Sequence, residues 1–573
     1  MFRISAPVLG LVLSIGSPIS AVAATPGATP DETTMYEQGE RLYREGILPD
    51  GSAVQATVAG DVPVDGRMFS CVNCHQRSGL GSVEGPVIAW PVTGKELFQP
   101  RRRTGAWNQS KQKLGPGASE RWSLPQQYQA ADARPAYSDS SLRQLLHDGI
   151  DSGGRQVSSA MPRYQMSDRD MSILTHYLKN LSATHDAGVD SETIRFATIV
   201  TEGVDRVDVD AMLSVLKAFI NIHNTQTRPH KRRAESGPFY KTEKYGAYRK
   251  FELDVWELTG SRESWRSQLD AHYSEGPVFS VLGGIAAGSW APIHGFCEDY
   301  RIPCIFPITD QPVISDTDWY TLYFSKGLYQ EGETAARFVR KAANSGKPLQ
   351  VIQVYRSSGR GKILAQGVRD TLANSQNINI SDMILEDGQS IPENFLKPLI
   401  DSPGAPAVLL WLDQQDIDTS LSTLDVGARP AKPLFVSSTL IADNFAVIPG
   451  EIREHVYLTY PYDLPDVTAR SISILKRWLK IRKIPATNLA IQSKMYFLGW
   501  MLNASVANMR SEFYRDYFVE GFDMMRDQDY AIAIYPRLTF GQGQRYASKG
   551  GYIVQLGEGE PTQLIRKSKW VAH

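Results

Sequence analysis

Cysteine is scarce in this chain, and so are long apolar runs and any excess of one charge. Only four cysteines occur among 573 residues, and no stretch beyond the first 24 residues approaches the roughly 18 consecutive apolar residues of a membrane-spanning helix. Lysine and arginine number 61, against 62 aspartates and glutamates. This balance provides no basic face for nucleic acid and no polybasic segment for a membrane surface. We therefore expect no nucleic-acid partner and no membrane span in the mature chain.

Sequence motifs of common hydrolases and phosphotransferases are also missing. The chain contains no Gly-rich phosphate loop, no H-E-x-x-H zinc motif and no nucleophile elbow. We predict no catalytic residues, and a binding or electron-transfer protein rather than an enzyme. The apolar share of 42 % is ordinary for soluble globular protein. A chain of 573 residues exceeds a single hydrophobic core, so its length predicts roughly three or four compact units.

The N-terminus has the pattern of a secretory signal. Arg3 supplies a positive residue, Val8 to Ile15 an apolar core, and Ala21-Val22-Ala23 a small-residue cleavage site. A permanent spanning helix is the alternative, but prolines and glycines interrupt the segment. We predict that residues 1–24 are a signal peptide and that the mature protein is periplasmic. No cysteine follows the cleavage site to carry a lipid anchor.

One motif, Cys71-Val72-Asn73-Cys74-His75, carries a specific chemistry. Two thiols three positions apart can add to the two vinyl groups along one edge of a porphyrin, and the histidine that follows then offers a ring nitrogen to the iron. A redox cysteine pair or half of a zinc knuckle is the alternative. A knuckle needs a second pair of ligands, and the other cysteines lie more than 200 residues away. We predict one covalent haem c attached to Cys71 and Cys74, with His75 bound to iron.

The second iron ligand has to come from later in the chain. Met161-Pro162 lies just before a capping box, Ser167 to Asp170, that opens an amphipathic helix, so Met161 is the predicted ligand. The Gly- and Pro-rich loop after His75 can offer a carbonyl to its free N–H, with Pro86 and Pro91 as candidates. Other methionines are less suitable because of their places: Met68 beside the attachment site, Met166 at the cap and Met171 on the apolar helix face. The alternative is a bis-histidine haem, with His147, His176 and His185 as candidates.

Residues 35–182 resemble a class I cytochrome c in their N-terminal helix with Gly39, the haem motif, the Met-Pro loop and a closing helix with Leu174 and Tyr177. The resemblance implies that the first and last helices cross, with Gly39 allowing close approach near Tyr177. About 85 residues separate His75 from Met161, and the polar run Arg101 to Ser123 is expected to be an inserted loop.

Beyond a polar linker at residues 185–194, short apolar runs alternate with amphipathic segments. Runs such as Phe196 to Val200 and Val278 to Leu282 alternate with helical patterns such as Met212 to Ile222. This alternation predicts parallel α/β layers, and roughly 380 residues of it exceed a comfortable single sheet, so we expect two lobes. The basic run Thr225 to Tyr245 is predicted to be a solvated excursion.

This part of the chain resembles a type I periplasmic binding protein of the branched-chain amino-acid group. The stretches that carry the resemblance are Val281-Leu282-Gly283-Gly284, Ile302 to Pro307, Tyr323 to Gly327 and Leu458 to Pro461. It implies two doubly wound lobes joined by three crossings, with a ligand in the cleft between them. We therefore expect a multidomain chain: a mainly α cytochrome c domain at 25–184, the linker at 185–194, and a two-lobed α/β periplasmic-binding-protein fold at 195–573.

The same resemblance predicts the cleft residues, since such clefts lie beyond the carboxyl ends of strands. Nine positions map there: Ser289, Trp290, Thr309, Asp310, Tyr329, Tyr355, Trp411, Asp413 and Ser438. Amino-acid binders of this family hold the carboxylate with a Ser/Thr cluster and the amine with an acidic residue. Here the two corresponding stretches are Ala286 to Ser289 and Ser438-Thr439, which argues against amino-acid recognition. Rim aromatics suit a flat or apolar ligand, with core packing as the alternative.

The remaining cysteines, Cys297 and Cys304, are expected to form a disulfide because the periplasm is oxidising. Two buried free thiols are the alternative.

Three functions are consistent with these features. The first is a periplasmic electron-transfer protein that exchanges electrons with a periplasmic redox partner through a His/Met haem, coupled to a small-molecule-binding module. Combinations of this kind resemble components of quinoprotein alcohol-oxidation systems. The second is a solute-binding protein of a transport system, like those of ABC transporters, with the haem as redox sensor. The third, an enzyme that oxidises its bound ligand, lacks a catalytic constellation.

Overall fold

The fold is taken from a computed structural model, which describes most of the chain after residue 29. The described ranges are 30–84, 87–101, 133–235, 249–343, 349–400, 407–422, 424, 433–509, 511–523, 534–536, 538–541, 543–557 and 563–572. The predicted signal peptide, Pro86 and the polar run beyond Arg101 lie outside these ranges. Within them, no helix combines the length and the apolar character needed to cross a membrane.

The N-terminal domain, residues 30–181, is mainly helical. Its helices are Pro30–Glu45, Val72–His75, Gly94–Leu97, Asp139–Asp148 and Asp168–Asn180, and its strands are β1 (Gln55–Val58), β2 (Val62–Asp65), β3 (Ser82–Glu84), β4 (Val87–Ala89) and β5 (Arg163–Gln165). Strand β1 pairs antiparallel with β2 and β5, and β3 pairs with β4. Since β5 begins two residues after Met161, its pairing with β1 positions the Met161 loop.

The first and last helices of this domain cross where glycine permits it. A Cβ atom on Gly39 would lie 2.5 Å from the Cβ of Tyr177, so only glycine allows this approach. Tyr177 is fully buried between Tyr36 and Tyr43, with ring centroids 5.1 and 5.3 Å away. The last helix begins at the expected capping box, in which Ser167 and Asp170 each accept the other's backbone N–H. The expected crossing is therefore present.

The first lobe of the remaining chain is built on an all-parallel sheet in the order β10-β9-β8-β6-β7. Its strands are β6 (Thr193–Thr201), β7 (Lys250–Leu258), β8 (Ser280–Leu282), β9 (Cys304–Ile305) and β10 (Thr321–Leu322). Its helices are Arg206–Glu235, Arg262–Glu275, Ala291–Asp299 and, from later in the chain, Pro465–Ile481, Leu489–Met509 and Arg515–Asp523. Helices on both faces bury β8, β9 and β10 completely.

One sequence expectation for this lobe is wrong. The basic run beginning at Thr225 was expected to leave the α/β rhythm, but the helix that starts at Arg206 continues to Glu235. Pro229 disfavours helix within this run, but lysine, arginine and alanine favour it, and the preceding turns are already held by packing on the lobe. Residues 236–248 of the run lie outside the described ranges.

The second lobe has an eight-stranded sheet in the order β12-β11-β13-β14-β15-β16-β17, with β18 also paired to β16. The strands are β11 (Leu349–Arg356), β12 (Ile378–Leu385), β13 (Ala407–Trp411), β14 (Leu434–Ser437), β15 (Val456–Tyr460), β16 (Gly550–Leu556), β17 (Leu564–Arg566) and β18 (Val571–Ala572). Its helices are Gly327–Ala343, Gly361–Leu372, Lys397–Ile400 and Gln414–Ser422, with 3-10 turns at Phe445–Val447 and Gly450–His455. Strands β11 to β15 are parallel, and β16 to β18 are antiparallel additions.

Three chain segments cross between the lobes, as the two-lobed expectation requires. The first follows β10, the second follows β15, and the third precedes β16. The first and third crossings are hydrogen-bonded to each other, because Ala547 N–H donates to the Tyr323 carbonyl at 3.0 Å and Ser548 N–H to the Phe324 carbonyl at 2.7 Å. The described part of the chain from residue 193 onward therefore has a two-lobed α/β architecture.

The segment between the N-terminal domain and the first lobe is packed rather than extended. His185 Nε2 lies 2.9 Å from the Ser511 carbonyl, and Asp186 Oδ2 accepts the Arg515 N–H at 2.6 Å. Strand β6 already begins at Thr193, inside the predicted linker of residues 185–194. The expected linker is therefore shorter than predicted, because its last residues belong to the sheet.

Buried charges join the N-terminal domain to the first lobe. Arg301 donates two hydrogen bonds to Glu40, at 2.6 and 2.7 Å, and Arg44 pairs with Asp516 at 2.7 Å. Burial acts to raise the pKa of Asp516, but neighbouring arginines, Arg44 first among them, hold it below its usual value. The two units are thus held by specific ion pairs as well as by the connecting chain.

Candidate functional site

A cavity of about 440 Å³ lies between the two lobes. It opens at the carboxyl ends of parallel strands in both sheets, where ligand sites of open α/β folds occur. Its lining residues are Asp208, Ile285, Ala286, Gly288, Ile308, Thr309, Asp310, Gln311, Ser325, Gly327, Glu331, Arg360, Thr439, Pro461, Tyr462, Ile491, Lys494 and Tyr535. Both lobes and two of the crossings contribute to this wall, so a bound molecule would contact the two lobes and the segments that join them.

A lysine ammonium lies among aromatic rings in this cavity. Lys494 Nζ donates to the Tyr462 hydroxyl at 3.4 Å, and it lies 5.4, 5.9 and 5.8 Å from the ring centroids of Tyr462, Tyr535 and Phe324. Lys494 is the only charged residue of the helix Leu489–Met509. The helix packs in the core of the first lobe, which fixes the base of this side chain.

A buried carboxyl group lies on the second-lobe side of the cavity. Glu331 is 2 % exposed, and its Oε2 accepts hydrogen bonds from the Ser437 hydroxyl at 2.8 Å and the Thr459 hydroxyl at 2.6 Å. Burial raises the pKa of Glu331 to about 7, although these hydroxyl donors oppose the shift. Burial thus favours the neutral form of this carboxyl group, which can donate as well as accept.

An ion pair joins the two lobes across the cavity. Asp310 follows β9 of the first lobe, and its carboxylate pairs with the guanidinium of Arg360, which precedes the helix Gly361–Leu372 of the second lobe. Both groups are partly exposed, at 30 % and 43 %. A contact of this kind can form and break as the lobes close and open.

Two of the nine predicted cleft residues line the cavity. Thr309 and Asp310 lie in its wall, as expected from their place after β9. Two others lie beside it in sequence without lining it: Ser289, whose Oγ accepts the Ala291 N–H at 3.3 Å at a helix start, and Ser438, which is fully buried next to the lining residue Thr439. The sequence therefore identified the loops that form the cavity wall, although only Thr309 and Asp310 line it.

The predicted aromatic rim is wrong, because three of its members are core residues. Trp290 and Trp411 are at most 1 % exposed, and Trp411 Nε1 donates to Gln353 at 2.9 Å inside the second lobe. Tyr355 is 3 % exposed, and its hydroxyl donates to Asp382 at 3.0 Å. The aromatics that do face the ligand space, Tyr462 and Tyr535, come from the second crossing and from a later segment.

The last two predicted residues serve local structure. The Tyr329 hydroxyl donates to Asp370 at 2.9 Å between two helices of the second lobe. Asp413 Oδ1 accepts the Asp416 N–H at 3.0 Å at the start of the helix Gln414–Ser422. Neither lines the cavity.

Sequence reasoning missed four charged residues of the cavity: Asp208, Glu331, Arg360 and Lys494. A signal existed for two of them. Lys494 is a single charge in an otherwise uncharged 21-residue helix, and Glu331 follows the Tyr323 to Gly327 crossing within a turn. No local signal marks Arg360, since only the lobe arrangement brings it opposite Asp310.

The motif Cys71 to His75 forms a second candidate site, on a short helix. His75 Nδ1 lies 2.8 Å from the Trp90 carbonyl, an arrangement in which Nδ1–H donates. Burial lowers the pKa of His75, so its ring is neutral near pH 7 and Nε2 keeps a lone pair. The accepting carbonyl belongs to Trp90, the residue before Pro91, so neither predicted proline supplies it. This partner orients the ring as a second-sphere carbonyl does for a ligating histidine.

An exposed apolar surface surrounds the motif. Met68, Val83, Val87 and Trp90 are 73, 47, 45 and 38 % exposed. Hydrogen bonds tie their segments to the motif, from the Asn73 amide to the Met68 carbonyl and from the Ser82 hydroxyl to the Cys74 carbonyl. An apolar group attached at Cys71 and Cys74 would cover this surface, so the residues present fit a haem. The described residues contain no group of three or more His, Cys, Asp and Glu able to hold a metal ion, as a complete zinc site would.

Two methionines of this domain flank β5, Met161 before the strand and Met166 after it. Met161 and Met166 are half-buried and pack against the domain core, and Met166 lines a cavity of about 10 Å³ with Cys71 and Tyr164. The Tyr164 hydroxyl donates to the Phe69 carbonyl at 2.6 Å, which ties strand β5 to the segment before Cys71. Met171 is 4 % exposed in the core, as expected for its helix face. The assignment of Met161 as iron ligand stays a prediction.

The predicted disulfide is not formed in this structure. Cys297 and Cys304 are free thiols, both fully buried, on the helix Ala291–Asp299 and on β9. Burial raises the pKa of Cys297, and the neighbouring Cys304 thiol raises it further. The structure thus contains the alternative, two buried thiols in contact within one core.

Comparisons with known proteins give matches among solved structures only; no protein-family model and no curated protein matches. One similar structure is a branched-chain amino acid ABC transporter from Thermus thermophilus with bound valine, at 11 % identity and TM-score 0.46, covering 67 % of this chain and 97 % of that chain. Another is a fatty acid ABC transporter substrate-binding protein from Thermomonospora curvata, at 12 % identity and TM-score 0.43, covering 68 % and 95 %. A leucine-binding protein from Thermotoga maritima has 12 % identity and TM-score 0.43, covering 66 % and 99 %.

Proposed function

We propose that this chain is a periplasmic solute-binding protein that also carries a covalent haem. The observation that carries the binding function is the 440 Å³ cavity, walled by both lobes and by two crossings. Its walls combine apolar side chains with a few charged and hydroxyl groups, a composition typical of small-molecule sites. Ligand contacts made to both lobes at once favour the closed arrangement, which gives the cleft its selectivity.

Residues of the cleft have separate tasks in this function. Arg360 and Asp310 hold the lobes together at the cavity edge, while Thr309, Ser325 and Thr439 offer hydroxyl groups to a polar part of the ligand. Lys494 and Glu331 face the ligand space from opposite lobes.

The second part of the proposal is haem c in the N-terminal domain, with the redox role predicted from the sequence. Cys71 and Cys74 would hold the porphyrin, and His75 and Met161 would bind its iron, which supplies one-electron transfer when bound. The support is the neutral His75 ring, oriented by the Trp90 carbonyl, and the exposed apolar surface beside it. A periplasmic redox partner, as in a quinoprotein alcohol-oxidation system, belongs to this proposal.

A thermal-shift screen tests the binding function. The purified holoprotein is heated with a panel of organic acids, amines, alcohols, amino acids and sugars. A true ligand at 100 times its Kd should raise the stability by about 2.7 kcal/mol. Thr439→Trp should fill the cavity and abolish the shift, while Thr419→Trp on an exposed face of the same lobe should keep it. A panel without any shift, or an equal shift in Thr439→Trp, would contradict the proposal.

Haem attachment is tested independently by mass and spectrum. The protein expressed with a cytochrome c maturation system should keep its haem after denaturation and acid–acetone extraction. Cys71→Ala combined with Cys74→Ala should lose all covalent haem, whereas Cys297→Ala should retain it. Extraction of haem from the wild-type chain would overturn this part and leave the binding function intact.

A further inference from the structure

The charged residues of the cleft differ in whether a group of opposite charge lies beside them. Lys494 is a cation without such a partner: it has no carboxylate within ion-pair distance in the described part of the chain, and its contacts are with the hydroxyls of Tyr462, at 3.4 Å, and Tyr535. The nearby rings of Tyr462 and Tyr535 stabilise an ammonium through their faces, but they do not neutralise it. A half-buried ammonium in a cavity with apolar walls favours an anionic partner.

Each carboxyl group of the cavity, in contrast, already has a partner. Asp310 is paired with Arg360, and Asp208 accepts a hydrogen bond from the Asn488 amide at 2.8 Å. Glu331 accepts from two hydroxyls, and burial disfavours its charged form. A ligand ammonium would have to displace an existing contact at Asp310 or Glu331 and would share Asp208 with the Asn488 amide, whereas a ligand carboxylate would meet Lys494 directly.

Aliphatic side chains form part of the first-lobe wall, together with the polar residues Asp208, Thr309 and Gln311. Ile285, Ile308 and Ile491 line the cavity, and Pro461 joins them from the second crossing. Aliphatic walls gain from covering a hydrocarbon part of the ligand, by about 25 cal/mol for each Å² removed from water. A small inorganic anion would leave this surface uncovered.

From these three observations we infer that the cleft binds a monoanionic organic acid with an apolar body, its carboxylate on Lys494 and its hydrocarbon part against the isoleucines. The inference rests on the proposed function and adds the ligand class. It makes free amino acids weaker ligands than such acids, since Asp310 and Glu331 are already engaged and their ammonium group would be left with Asp208, which accepts from the Asn488 amide.

Isothermal titration calorimetry of the holoprotein tests the class with matched probes. Benzoate and hexanoate are compared with benzyl alcohol and hexanol, which have the same bodies without charge, with benzylamine, and with leucine. The two acids should bind at least about tenfold more tightly than the matched alcohols, as expected for one charge-assisted hydrogen bond in a cavity. Benzylamine and leucine should bind more weakly than benzoate.

Variants of Lys494 locate the effect. Lys494→Met keeps the length of the side chain and removes the charge, so it should lower the affinity for benzoate about tenfold or more and leave that for benzyl alcohol unchanged. Lys494→Arg should keep the preference for the acid, and Lys480→Met, on an exposed face of the helix Pro465–Ile481, should change neither affinity. If Lys494→Met does not fold, the comparison of acids with alcohols and amines on the wild-type protein still decides the class.

Failure of this inference and failure of the proposed function give different results. Tighter binding of benzylamine or leucine than of benzoate, or equal affinity of Lys494→Met and wild type for benzoate, would overturn the acid class and leave a working cleft. No binding of any acid would also overturn it. If, in addition, no solute of the thermal-shift panel binds, the proposed function fails as well.

Discussion

The motif Cys71 to His75 and the cleft between the lobes are built in opposite ways. The motif is five consecutive residues on one short helix, oriented by a carbonyl 15 residues further on. The cleft is assembled from residues between Asp208 and Tyr535, on both lobes and two crossings. A local site can be recognised wherever its residue types and spacing recur, whereas an assembled site exists only after the chain has folded.

The interior of each lobe and the contact between the N-terminal domain and the first lobe also depend on different interactions. Each lobe has an apolar core, but the N-terminal domain meets the first lobe through partly buried ions: Glu40, Arg44, Arg301 and Asp516. Ser78, three residues after His75, donates its N–H and hydroxyl to both oxygens of buried Glu520, at 2.8 and 2.6 Å. Buried ion pairs add orientation more reliably than stability, so the domains are positioned as well as tethered.

The largest expected effect comes from removing the second proposed iron ligand, because it changes the proposed haem site and leaves the cleft intact. Met161→Ala should abolish the sulfur-to-iron charge-transfer band of the oxidised holoprotein and lower its reduction potential, because a thioether favours ferrous iron. Met166→Ala, directly after β5, is the control, and its spectrum should be unchanged. A lost band in Met166→Ala with an intact band in Met161→Ala would move the ligand to Met166.

The next largest effect concerns the interface. Arg44→Met should destabilise the protein by about 3 to 5 kcal/mol, because it leaves Asp516 and Glu40 buried with one cation fewer. Arg41→Met on the same helix removes only an exposed pair with Glu45 and should cost about 0 to 1 kcal/mol. Urea unfolding of both variants measures the difference. Equal values would mean that the interface ions contribute no more than surface charges.

Acids buried at the two regions predict a pH dependence. Burial raises the pKa of Glu520 to about 8 and that of Glu331 to about 7, both above their unfolded values. A raised folded pKa means that the native state binds more protons, so this stability is present at low pH and is lost as pH rises toward 8. Each group should contribute a slope of at most about 1.4 kcal/mol per pH unit between pH 5 and its folded pKa.

Glu520→Gln should reduce the fall of the free energy of unfolding with pH up to pH 8, and Glu331→Gln should reduce it only up to pH 7. Urea unfolding at pH 5, 6, 7 and 8 measures both profiles. An unchanged profile in Glu520→Gln would show that this carboxyl is ionised in the folded protein.

The smallest expected effect is communication between the regions. Arg77 and Arg545 lie over the ring of Trp319, at 4.1 and 4.2 Å, and the Arg545 carbonyl accepts the N–H of Tyr323 on the first crossing. Closure of the lobes can thus change the surroundings of the motif. By linkage, a tenfold difference in ligand affinity between oxidised and reduced protein shifts the haem potential by about 59 mV.

A redox titration with and without saturating ligand measures this shift, and Trp319→Leu should reduce it. A shift below a few millivolts in the wild-type protein would mean that the two regions work independently.

Local chemistry alone determined much of this protein. The capping box at Ser167 and Asp170 and the close approach at Gly39 were predictable because short-range sterics and hydrogen bonding decide them. The alternation of apolar strands and helices predicted the parallel sheets, because this pattern can be read from neighbouring residues along the chain. The cleft was predictable only as far as the loops that follow strands, of which Thr309 and Asp310 are examples.

Tertiary structure decided which side chains face the ligand. Trp290, Trp411 and Tyr355 have the composition of a binding rim, but sheet packing buries them in the cores. Lys494 and Glu331 come from helices distant in sequence, and line one cavity only because three crossings bring the lobes together. Periodicity predicts on which face of a helix or strand a side chain lies. Which element packs against that face depends on contacts between residues hundreds of positions apart.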